Sequence, residues 1–291
     1  MPRSSAKKSN RKREKERKEP TKFKYSSVLS DREIRKAYRR GDIVIEPYDR
    51  KQVKPNSYDI RLGEFFYRQR AYHRGLGDDK PVNIYAPSAE MWEEVPRHAV
   101  TLRDYLKAKH KASPSQQARI EVSHRQQEIL CITPMPMIAG PPSDYEIECI
   151  AKNEYENISL NDRVFVLQPG ETVLGHTDEF IGGVDGVTTM IKTRSSLGRN
   201  NIGICKCAGW GDTGFTNRWT LEITNFSKDR SVMLVCGRRV GQIVFMATGK
   251  VSQKYDSKYQ SQHSLKKMMK EWKPEQMLPR LHLDEECVKC K

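Results

Sequence analysis

Apolar and polar positions alternate in short runs over much of this chain, and Gly-rich corners separate the runs. Tyr58-Asp-Ile-Arg-Leu62, Trp219-Thr-Leu-Glu-Ile-Thr224 and Val240–Phe245 place apolar residues toward one side, the pattern of half-buried strands. Ile43–Ile45 predicts a further short strand halted by Pro47, and Phe65–Tyr67 predicts a continuation of the sheet after a bend at Gly63. Glu146-Ile-Glu-Cys-Ile150 also alternates, which predicts a return to the sheet. Helical spacing is rarer. Ser30-Asp-Arg-Glu33 is a capping-box pattern, followed by Ile34, Ala37 and Tyr38 and stopped by Gly41. Ala99–Ala112 and Leu265–Trp272 predict two basic helices. The whole predicts a mainly β fold with a few short helices.

Composition limits how much of the chain folds. Over 291 residues, 31% are charged and the mean hydropathy is −0.77, so part of the chain is expected to lie outside a packed core. The net charge is +15, and residues 1–24 hold eleven Lys and Arg against three Glu, a net +8. That leaves +7 for the other 267 residues. The basic tail (1–25) is open to three readings: a nuclear address, a nucleic-acid-binding arm, or a solvated disordered extension. The absence of an apolar run of about 18 residues argues against a transmembrane helix. The N-terminus lacks the apolar region of a secretory signal. Seven irregularly spaced cysteines fit a reduced, intracellular protein, cytoplasmic or nuclear.

Candidate chemistry concentrates between Phe165 and Phe245. Thr193-Arg-Ser-Ser-Leu-Gly-Arg199 sets two arginines and two serines within six residues. Such a group is suited to phosphate oxygens, or equally to a Ser-capped helix start with solvated arginines. Glu222 lies mid-strand among threonines, either facing solvent or serving as a general base whose pKa is raised by burial. Phe165–Glu171 and Gly237–Phe245 read as structural, each with a hairpin corner before a strand. Cys205 and Cys207 alternate within an expected strand and read as core. Cys287-Val-Lys-Cys290 has metal-knuckle spacing but supplies two ligands where a structural zinc needs four. Val251–His263 is polar and aromatic, and reads as a flap that orders over a ligand or a neighbouring subunit.

Together these stretches resemble the dCTP deaminase branch of the dUTPase-like superfamily. Val28–Ile34, Ile45-Glu-Pro-Tyr48, Asn56–Gly63, Phe165–Glu171, Arg194–Arg199, Ala208–Phe215, Thr220–Glu222, Gly237–Gln242 and Lys258–Gln262 follow the family's order. The resemblance covers 26–67 and 146–263. It sets a domain at 26–263 with an elaboration at about 86–145, and leaves 264–291 as a C-terminal extension. It implies a distorted β-barrel or jelly-roll (β-clip) core assembled as a homotrimer with shared active sites. It further implies hydrolytic deamination of dCTP without zinc, with Mg²⁺ arriving on the triphosphate. The His-x-Glu and Pro-Cys-x-x-Cys of zinc deaminases are missing from the sequence.

The resemblance also implies roles. Glu222 is similar to the proton-shuttling carboxylate. Ser195 and the carbonyl of Ala208 would position the attacking water, and Arg199 would hold Glu222 and stabilise charge. Arg194 and Ser196 would bind phosphates, Asp212 the deoxyribose, and Trp210 and Thr220 the base pocket. Tyr255, Lys258 and Gln262 would close as a lid. The leading expectation is deamination that ends at dUTP. The alternatives are a bifunctional enzyme that continues to dUMP, a dUTPase, or a non-catalytic nucleotide- or nucleic-acid-binding protein. Ala208-Gly-Trp210 resembles members that cleave dUTP, because some strictly deaminating members carry Arg where Trp210 stands. Gly211-Asp-Thr213 departs from the commoner Ile-Asp-Pro.

Overall fold

The computed structural model describes residues 26–69, 91–95, 99–111, 142–249, 251–256, 258–259 and 264–283. The basic tail, Gln262 and the Cys287/Cys290 pair lie outside them. The first helix, α1 (Asp31–Arg40), forms as its capping box dictates. The Ser30 hydroxyl accepts from the Glu33 N–H, and the Glu33 carboxylate accepts from the Ser30 N–H. Ser26 donates to the same carboxylate, and these hydrogen bonds hold its pKa down to about 2. Gly41 ends the helix in the left-handed region, φ 74°, where a residue without Cβ carries no steric cost.

Fourteen strands follow among the described residues: β1 (Ile43–Glu46), β2 (Val53–Lys54), β3 (Ser57–Arg61), β4 (Tyr67–Gln69), β5 (Trp92–Glu94), β6 (Val100–Thr101), β7 (Arg163–Leu167), β8 (Thr172–Gly183), β9 (Val187–Thr193), β10 (Ile202–Gly203), β11 (Trp210–Gly211), β12 (Thr216–Asn225), β13 (Val232–Val235) and β14 (Arg239–Ala247). The other α-helices of the described residues are α2 (Leu102–Lys111), α3 (Asp144–Glu154), α4 (Ser195–Arg199) and α5 (Leu265–Glu271). Among the described residues the fold is mainly β with few helices.

Three sheets result, ordered β10-β12-β8-β4-β5 with β1 also on β8, β11-β9-β14-β3-β2, and β13-β7-β6. The implied barrel is not closed. β8 pairs along one edge with β12, while its other edge is divided between β1 at residues 180–183 and β4 at residues 173–174. The two larger sheets bury their facing apolar sides against each other, with Ile181, Trp219, Leu221 and Ile223 meeting Tyr58, Ile60, Ile191, Ile243 and Phe245 in one core.

Two local expectations are corrected. Glu146–Ile150 belongs to α3, not to a strand. Ser143 and Glu146 form a second capping box, and Ile147 and Ala151, four residues apart, bury one helical face. Five alternating residues fit a helix and a strand equally, and the cap decides between them. The Cys205–Cys207 segment is a loop, with Cys207 exposed at φ 66°, so strand alternation does not orient its thiols. α2 and α3 bury Leu102, Leu106, Ile147 and Ala151 with Val164 and Val235 as a second apolar cluster.

Candidate active site

β12 carries the site. Trp219, Leu221 and Ile223 enter the core, which turns Thr220 and Glu222 to the opposite face as the period of two requires. A register shift between Arg218 and Thr220 interrupts the pairing with β8 just before that face begins. A cavity of about 520 Å³ opens there, within the range of small-molecule sites. Glu222 lines it, half-buried, and accepts from the Lys206 N–H at 3.3 Å. Burial is the larger influence and pushes the carboxyl pKa above the ordinary glutamate range. The Cys205 thiol is pushed up as well, first by burial and then by the charge of Glu222.

Ala208, Trp210, Asp212, Thr220 and Tyr255 line the same cavity. The Trp210 indole is 56% exposed, and its Nε1–H donates to Asp212 Oδ1 at 3.2 Å. The Tyr255 N–H donates to the Thr213 carbonyl at 2.9 Å. Its ring meets Phe215 edge-on at 5.4 Å, and Phe215 meets Trp219 in the same way at 5.2 Å. The start of the expected flap is thus docked on the core.

Arg194, Ser195, Ser196 and Arg199 are not brought to this cavity within one chain. They occupy α4 and its N-cap beyond the end of β9, with Ser195, Ser196 and Arg199 exposed. Arg194 donates to the Arg239 carbonyl at 3.3 Å and caps the helix without a side-chain bond, so the serines do not serve as caps. Lys258 lies outside the lining, and its carbonyl accepts from Arg280 Nη1 at 2.7 Å.

Sequence reasoning missed part of the lining. Lys206 and Arg218 border the cavity, as do Trp272, Gln276, Met277 and Pro279 of the C-terminal extension. The available signal was Met268, Trp272 and Met277 recurring among charged residues; Met268 and Met277 are buried.

The dCTP deaminase-like family model matches residues 28–104 and 135–248. The chain belongs to that family. A relative from Methanosphaerula palustris named "dCTP deaminase, dUMP-forming" is 26% identical over 239 residues, covering 81% of this chain and 91% of that protein. Proteins of the same name from Methanothermobacter thermautotrophicus and Acidothermus cellulolyticus are 29% and 25% identical, covering 75% and 81% of this chain and 78% and 91% of their own lengths. Among solved structures, the 2′-deoxycytidine 5′-triphosphate deaminase of Agrobacterium tumefaciens matches with a TM-score of 0.40 and 17% identity, covering 77% of this chain and 50% of that one. The relatives' names correct the leading expectation. These relatives are named as dUMP-forming, which overturns deamination ending at dUTP as the leading expectation and agrees better with the bifunctional alternative.

Proposed function

We propose that this protein converts dCTP to dUMP, with release of ammonia and pyrophosphate. The observation that carries the reading is Glu222, a carboxyl with a raised pKa on the polar face of β12, in a cavity also lined by Ala208, Trp210 and Asp212. Water would attack C4 of the cytosine while Glu222 takes its proton and passes it to N3. Collapse of the tetrahedral adduct, with a further proton delivered to the amine, expels ammonia. A second water then attacks the α-phosphorus and pyrophosphate departs. The balance is dCTP plus two waters giving dUMP, ammonia and pyrophosphate.

The other residues take the roles the family resemblance implies. The Ala208 carbonyl orients the first water, Thr220 and Trp210 border the base, and Asp212 contacts the sugar. Tyr255, Lys258 and Gln262 close on the triphosphate. Ser195, Ser196, Arg194 and Arg199 act from α4 of a neighbouring copy, as a homotrimer with shared sites would require. The exposure of Ser195, Ser196 and Arg199, and the absence of all four from the lining of Glu222's cavity, support that reading. Magnesium enters as part of the substrate. Asp212 and Glu222 are the carboxylates lining the cavity, a donor set suited to an ion held mainly by phosphate oxygens and water.

Chromatography of the products from dCTP, with ammonia release measured in parallel, tests the reading. Ammonia and dUMP are expected from the unaltered protein, and neither from Glu222→Gln, which should still bind dCTP. Accumulation of dUTP alone, or full turnover by Glu222→Gln, would sink it.

A further inference from the structure

The C-terminal segment beyond residue 263 lies outside the stretch matched by the family model, yet it borders the cavity that holds Glu222. Trp272, Gln276, Met277 and Pro279 all line it. We propose that Trp272–Arg280 is a wall of the nucleotide site, held in place by Trp272 as a positioning residue and governing how tightly the deoxynucleoside triphosphate is retained. The proposal rests on the nucleotide reading of the cavity.

Three attachments hold this wall. The Trp272 ring covers the Arg218 guanidinium at 4.7 Å, and Phe180 lies 5.2 Å from the same group. Burial lowers the Arg218 pKa from its ordinary value, and desolvation strengthens the attraction of the cation to aromatic faces. The Trp272 ring also meets His176 at 4.8 Å and Phe65 at 6.0 Å. Met277, 5% exposed, packs with Tyr67, Trp92 and Leu174, which fixes the far end of the wall to β4, β5 and β8. Finally, the Arg280 N–H donates to the Tyr259 hydroxyl at 2.9 Å and Arg280 Nη1 to the Lys258 carbonyl at 2.7 Å.

The third attachment has a mechanical result. Asn217 Nδ2 donates to the Tyr259 carbonyl at 3.0 Å, so residues 258–259 are tied to β12 on one side and to the wall on the other. Tyr255, on the same short segment, lines the cavity. Wall and flap segment therefore share their anchorage, and loosening Trp272 loosens both. Because Trp272 acts through the wall and not on the reacting atoms, its loss should weaken ground-state and transition-state binding alike, raising KM with little change in kcat.

The test compares Trp272→Ala, Trp272→Phe and Arg280→Ala in the full chain. Steady-state kinetics with dCTP and limited trypsin digestion at the Lys270–Glu271 bond are the readouts. Trp272→Ala is expected to raise KM about tenfold with kcat within about threefold, and to open the Lys270–Glu271 bond at the end of α5 to cleavage. Trp272→Phe keeps a ring over Arg218 and should restore KM and resistance to trypsin. Arg280→Ala should move KM in the same direction. Calorimetric binding of dCTP in the Glu222→Gln background separates the two readings. Ammonia release with affinity unaltered by Trp272→Ala overturns the wall alone, whereas absence of dCTP binding to any version overturns both. A fall in KM would mean the segment obstructs the site, and equal trypsin cleavage of unaltered and Trp272→Ala protein would mean no latch exists. Either result overturns the proposal.

Discussion

The main-chain N–H of Lys206 donates to the Glu222 carboxylate at 3.3 Å, and burial nonetheless keeps the Glu222 pKa above the ordinary glutamate range. The hydrogen bond favours the charged form and burial disfavours it, and burial is the larger influence. As the base of the proposed reaction, Glu222 must be ionised. The rate should therefore fall as pH drops through its raised pKa, and the acid limb of kcat/KM should sit at higher pH than an unperturbed glutamate would give. A pH profile locates that limb. A limb centred in or below the ordinary glutamate range would count against Glu222 as the base.

Asp212 holds the Trp210 indole by its Nε1–H at 3.2 Å, at the open side of the cavity. If Asp212 also contacts the sugar, Asp212→Ala should affect dCTP strongly and CTP little, compressing the ratio of their kcat/KM values by about tenfold or more. Parallel assays with both nucleotides measure the ratio. An equal loss for both would show that Asp212 does not discriminate between the sugars.

Gly63 lies directly beneath the His176 ring, where an added Cβ would collide with the imidazole. The Gly63 N–H also donates to the His176 carbonyl at 2.8 Å, so the backbone cannot retreat without losing that bond. Gly63→Ala should destabilise the fold by about 1–3 kcal/mol, read as a lower denaturant midpoint. Because His176 supports Trp272, the KM for dCTP should rise as well.

Glu179 is fully buried, and its carboxylate accepts from Arg61 Nε at 2.7 Å and from the Arg61 N–H at 2.9 Å. Burial still raises its pKa. Arg61→Ala removes the compensating charge and should cost about 3–5 kcal/mol at neutral pH. A folded-state pKa above the unfolded value contributes stability at low pH that is lost as pH rises through the folded pKa. The deficit of Arg61→Ala should therefore shrink as the solution is acidified, and urea titrations at several pH values would measure this.

Legibility in the sequence followed how local each cause was. α1 was readable to its ends because both caps are short-range hydrogen-bond patterns. Glu222 was readable because alternation along β12 sets Trp219, Leu221 and Ile223 on the face opposite to it. α3 was misread because Glu146–Ile150 fits two periods, and the deciding Ser143 lay just outside the alternating run. Arg194–Arg199 was recognisable as a motif, but its absence from the lining of Glu222's cavity depends on how β9, β10 and β12 assemble. The wall was invisible for the same reason. Trp272 and Arg218 are 54 positions apart, and their contact depends on neither residue's neighbours in the chain.

The β7–β13 pair has a different kind of consequence. Phe165 and Leu234 face the main core, while the adjacent Val164 and Val235 face the cluster with α2 and α3. The two strands are a party wall between two hydrophobic rooms. A change in packing between α2 and α3 meets β7 and β13 before it reaches the core that backs β12.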